Sequence, residues 1–153
     1  MHNDYDDTFA SAEKNLIFTQ KIFNSCLSNV GDCDKEVRRL IIDLSLSKQK
    51  IKILLPDQND LNEFIHALSP LYGEKCSYHW HERISFYLLS RFYALFGNKL
   101  LCCFSIEDRS FSGAVYRNSK GNFMTIRAKN LVAALRAIRI IRNLIRTTDM
   151  QTI

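Results

Sequence analysis

The run Leu100-Leu101-Cys102-Cys103-Phe104-Ser105-Ile106 carries apolar side chains at odd and even positions alike. Successive side chains of a strand point to opposite faces, so a strand of this kind needs cover on both sides. That requirement calls for a layered fold. Residues 111–117 and 122–127 read as two more strands, joined through Asn118-Ser119-Lys120-Gly121 into a hairpin. Residues 79–96 place Ile84, Tyr87, Leu88, Arg91, Phe92, Leu95 and Phe96 at helical spacing and stop at Gly97-Asn98. Residues 129–146 form another helix. The order helix, strand, strand, strand, helix is an α+β pattern, and these two helices are expected to share one face of the sheet.

The N-terminal half supplies the cover for the other face. Phe9, Ala12, Leu16, Phe23, Cys26 and Val30 make residues 1–30 helical, with Thr8 or Ser11 as the cap and Gly31 past the end. Asp34 caps a second helix bearing Val37, Leu40, Ile41 and Leu44. Residues 50–55 alternate Lys50-Ile51-Lys52-Ile53 and end at Pro56, which reads as a short strand and a candidate fourth member of the sheet. Leu61, Phe64, Ile65 and Leu68 share one face of a third helix. The expectation is a three-stranded antiparallel sheet, with that candidate addition, packed with about five helices in a layered sandwich. At 153 residues the chain suits a single compact domain over 1–153. Residues 70–77 are the best internal boundary, between an acidic helical part (1–72) and a basic helix-strand-strand-strand-helix part (77–150).

Charge sharpens that division. Residues 1–75 hold 9 Lys/Arg and 12 Asp/Glu, a net of −3, whereas residues 76–153 hold 12 and 4, a net of +8. The basic half is led by the terminal helix. At roughly 100° per residue, Lys129, Arg136, Arg139, Arg142 and Arg146 fall within an arc of about 140°, with Ala134, Ile138, Ile141 and Ile145 opposite. No acid occurs between Asp108 and Asp149, so no partner within the helix neutralises the row. Like charges at such spacing repel by a few tenths of a kcal/mol. An external anion, or acids from the N-terminal half, would offset that cost. Guanidinium groups grip phosphate or carboxylate through two parallel hydrogen bonds. The expectation is therefore a solvent-facing ridge of Arg136, Arg139, Arg142 and Arg146, extended by Arg117, Lys120, Arg127 and Lys129. It would contact nucleic acid or an acidic, nucleic-acid-handling protein. The bland alternative is that the two halves neutralise each other, within one molecule or between the copies of a homodimer.

Other chemistries have thinner support. Cys76, His79, His81 and Glu82 form the one concentration of metal-capable side chains, and a metal-dependent enzyme centred there is the rival reading. No second Cys/His pair follows at finger-like spacing, and Ser77, Trp80 and Glu82 suit an ordinary helix start. No phosphate loop, nucleophile elbow or paired carboxylates occur, so no catalytic residue and no cofactor is expected. Five cysteines, an odd number, fit reduced thiols, and the acidic N-terminus is unlike a signal peptide. A cytoplasmic protein with no membrane partner is expected.

Phe111-Ser112-Gly113-Ala114-Val115-Tyr116, Gly121-Asn122-Phe123 and Leu131-Val132-Ala133-Ala134-Leu135-Arg136-Ala137 carry a resemblance to the small phage proteins described as an ABA sandwich. It covers about residues 85–146. The resemblance implies a phage or mobile-element origin and a non-enzymatic binding protein, for example an inhibitor of a host defence complex. The long N-terminal half and the third strand depart from that pattern. The element order is also that of a double-stranded-RNA-binding domain, but only Arg127 and Lys129 stand where that family clusters its lysines.

Overall fold

The computed structural model describes residues 4–29, 35–56, 61–71, 84–105 and 110–151. Four strands, β1 (Gln49–Leu54), β2 (Lys99–Ser105), β3 (Phe111–Asn118) and β4 (Gly121–Ala128), form one antiparallel sheet in the order β1-β4-β3-β2. The candidate fourth strand is thus a full member. Ile51 and Ile53 of β1 sit opposite Ile126 and Met124 of β4, which puts its isoleucines on the core face and Lys50, Lys52 and Leu54 on the other. The hairpin turn is held by the Lys120 N–H, which donates to Asn118 Oδ1 at 2.8 Å, and by Gly121 at φ +135°.

The helices are α1 (Asp4–Asn29), α2 (Lys35–Leu46), α3 (Asn62–Ala67), α4 (Ile84–Leu95) and α5 (Leu131–Gln151), with a 3₁₀ turn at Ser69–Leu71. The Asn130 side chain starts α5 by accepting the Ala133 N–H at 2.8 Å, while its carbonyl accepts that of Ala134. Phe9 of α1, Phe64 and Leu68 around α3, and Ala134, Ile138 and Ile141 of α5 meet Cys102, Val115, Met124 and Ile126 in the main core. Chain from both sides of residues 70–77 therefore contributes to one sheet and one core.

Two expectations change. First, α4 and α5 lie on opposite faces of the sheet. The main core takes α1, α3 and α5, while Leu89 and Tyr93 of α4 pack on Leu100, Cys103 and Ala114 behind it. The physical reason lies in β2, where the register shifts between Leu100 and Cys102 and sends Leu100 and Cys103 to one side, Cys102 and Phe104 to the other. Second, the stripe on residues 84–96 is not the packing face of α4. Tyr87, Leu88, Phe92, Leu95 and Phe96 are exposed, by 53–80%. α1 also begins earlier than either predicted cap, with Tyr5 already buried and stacked on Phe64 at 4.6 Å.

Candidate nucleic-acid interface

The arginine row of α5 lies against α1. Asp6 and Glu13 are seven residues apart, two turns along one face of α1. Arg142 reaches both: its Nε donates to Asp6 Oδ1 at 2.9 Å and its Nη1 to Glu13 Oε2 at 2.8 Å. Arg139 Nε donates to Glu13 Oε1 at 3.2 Å, and Arg146 Nε to Asp6 Oδ1 at 2.8 Å. Three of the four arginines expected to meet an external anion are thus paired within the molecule, and the acids come from the N-terminal half. Those same acids are occupied within the molecule. Arg139 and Arg146 keep about half of their side chains in solvent, and Arg136 joins them in lining a 710 Å³ groove between the two helices.

The hydrogen bonds from Arg142 hold the carboxyls of Asp6 and Glu13 below the usual carboxylate range, outweighing partial burial, which acts the other way. A folded pKa below the unfolded one adds stability that is complete above the unfolded value and is lost as pH falls through the folded one. The clamp therefore strengthens the fold at neutral pH, and its contribution fades as pH falls below the ordinary carboxylate range toward the lowered folded values. Arg142→Met is expected to cost about 1–2 kcal/mol at pH 7 and much less at pH 3. Urea melts at the two pH values check this, and an equal loss at both would assign the effect to packing instead of charge.

The remaining predicted cations fall into two places. Arg117 and Lys120 sit at the β3–β4 turn, where Arg117 Nε donates to Asn122 Oδ1 at 2.8 Å beside a hollow of 760 Å³. Arg127 lies on the sheet face turned away from the main core, directly opposite Lys50 in the β1–β4 register. Lys129 is exposed just before α5. Sequence reasoning missed Lys50 and Lys52 as site residues. The available signal was their alternation with Ile51 and Ile53, which marks a face that is not the core face.

That second face is built from rings and cations. Tyr93 of α4 meets Tyr116 edge-on at 5.5 Å, Tyr116 stacks on Phe123 at 5.7 Å, and Lys52 Nζ lies 4.6 Å over the Phe123 ring. Thr125 Oγ1 hydrogen-bonds the Tyr116 hydroxyl at 3.3 Å. Burial pushes the Tyr93 phenol up, so it stays neutral. The four strands and α4 contain Lys50, Lys52, Arg91, Lys99, Arg117 and Arg127 and not one acidic residue.

Cys76, His79, His81 and Glu82 lie outside the described residues. Among the described residues no cluster of three His, Cys, Asp or Glu side chains could hold a metal, and no helix is long and apolar enough to cross a membrane. No family model matches the chain, and neither a curated protein nor a solved structure is significantly similar to it.

Proposed function

We propose that the protein is a non-enzymatic binder of nucleic acid, and that the contact is made on the sheet face carrying Lys50, Lys52 and Arg127 more than on the α5 row. One observation carries the reading. Lys50 and Arg127, both exposed, are directly opposed across β1 and β4, with no acid in any strand to separate them. Like charges in directly opposite positions destabilise a sheet. A phosphate between them would turn that repulsion into two charge-assisted hydrogen bonds. The α5 arginines are the weaker candidates, because an incoming phosphate must compete with Asp6 and Glu13. Arg136, Arg139 and Arg146 would then add long-range attraction. The likeness to phage ABA-sandwich proteins would set this binding in a mobile element whose product meets host nucleic-acid-handling complexes.

Lys50→Glu separates this reading from a structural one. The variant places opposite charges across the strands, so its stability should rise by about 0.2–1 kcal/mol. Its affinity for a labelled oligonucleotide should fall about tenfold, and the salt dependence should flatten by about one phosphate contact. Fluorescence anisotropy at two salt concentrations, with a thermal melt alongside, measures both. Undiminished affinity in the variant would remove this face from the proposal.

A further inference from the structure

The sheet face does not end at its cations. Between α4 and the sheet lies a cleft of 160 Å³ whose walls are the rings of Phe92, Tyr93 and Phe96. Tyr116 and Thr125, whose hydroxyls are hydrogen-bonded to each other, line it on the sheet side, and Lys50 and Arg127 stand at its β1–β4 side. A second hollow of 220 Å³ adjoins it and shares Phe92, Tyr93, Thr125 and Arg127. We infer that this cleft receives an unpaired base, so that the protein takes single-stranded, pyrimidine-bearing nucleic acid with the base among the α4 rings and the adjoining phosphate between Lys50 and Arg127. The inference rests on the phosphate-binding reading above and adds the base to it.

Size, chemistry and exposure each point the same way. Sites for drug-sized molecules run to roughly 300–1,000 Å³, so 160 Å³ suits one flat ring system and not a whole nucleotide. Phe92 and Phe96 meet edge-to-face at 5.3 Å while 56% and 70% exposed, and they are therefore presented to solvent and not consumed by the core. Bases stack on such rings with little regard to sequence. The two hydroxyls of Tyr116 and Thr125 share one hydrogen bond, which uses one of their two hydrogens. The other is left to donate to a base carbonyl, as uracil, thymine and cytosine each offer. A base inside a duplex has both faces stacked already and cannot enter, so the cleft selects against paired strands. The neighbouring hollow, sharing a wall and Arg127, continues the track for the next residue of the strand. The alternative occupant, an apolar protein segment seated on the α4 stripe, would leave Lys50 and Arg127 without an anion between them.

The test measures three labelled probes on the full chain: a short oligothymidylate, its abasic counterpart with the same phosphates, and a duplex of equal length. Oligothymidylate should bind about tenfold or more tighter than the abasic strand or the duplex. Replacing both exposed rings, Phe92→Ser with Phe96→Ser, should bring oligothymidylate down to the abasic level and leave abasic binding unchanged. Phe96→Trp, which keeps a ring, should retain most of the affinity. Lys50→Glu should weaken all three probes. If the three probes bind alike and the double ring variant matches the parent, the base-binding inference is overturned while phosphate contact stands. If none of the three binds even at low salt, the phosphate reading itself fails and takes the inference with it.

Discussion

Gly113→Ala is expected to lower the unfolding free energy by about 3 kcal/mol, a large share of the ~5–15 kcal/mol available to a domain of this kind. The glycine is not there for its backbone angles. It lies directly opposite Phe104 in the β2–β3 register, on the core face, and the phenylalanine ring folds across it. A methyl group at Gly113 would stand 2.7 Å from Phe104 Cε2, closer still to Cζ, and 2.9 Å from the carbonyl oxygen of Thr125 on β4. Phe104 is fully buried, and the Thr125 carbonyl belongs to the sheet itself. Both neighbours would have to shift. Urea unfolding followed by circular dichroism gives the loss directly. Adding Phe104→Leu should return part of it by removing the ring, but not the part due to the carbonyl. A loss under about 0.5 kcal/mol would mean that the ring has room to move.

Phe9→Ala is expected to cost more, about 3–5 kcal/mol, because it removes a large fully buried side chain and leaves a cavity behind. Phe9 lies 6.0 Å from Phe64, which in turn stacks on Tyr5, so one deletion loosens the ladder that ties α1 to α3 and the sheet. The same change withdraws packing next to Asp6 and Glu13. Amide exchange in α1 should therefore speed up more than exchange in β3 and β4, and the urea midpoint should drop with it. A loss below about 1 kcal/mol would show that α1 can leave without disturbing the core.

How far the residues announce this arrangement varies by element. The alternation Lys50-Ile51-Lys52-Ile53 and the stop at Pro56 are local, so the strand was legible. Its neighbour was not, because pairing with β4 joins residues 69 to 79 apart along the chain. The buried face of α3 followed from the spacing of Leu61, Phe64, Ile65 and Leu68, all four of which are in the core. The helical stripe on residues 84–96 was equally plain, but spacing states only that a stripe exists. Whether it faces the sheet or the solvent depends on Leu89 and Tyr93, which compete for the same sheet surface and win it.

The arginine row was legible as a row and illegible as a clamp. Periodicity placed Arg139, Arg142 and Arg146 on one side of α5, but their partners lie 126 to 140 residues earlier. A hint was present in the charge division between the two halves and in the spacing of Asp6 and Glu13, which matches two turns of helix. The cation pair on the sheet needed more still, since Lys50 and Arg127 become neighbours only once the β1–β4 register is fixed.

The pairing of α1 with α5 also bears on how the protein is made. Asp6 leaves the ribosome 136 residues ahead of Arg142. At roughly 5–20 residues per second, the first helix waits on the order of ten seconds for the guanidinium groups that will hold it. During that interval Tyr5, Phe9 and Leu16 lack the core they pack against in the folded protein. Nascent chains halted before α5 should therefore be bound by holdase chaperones and cut readily by proteases, whereas the finished polypeptide escapes both.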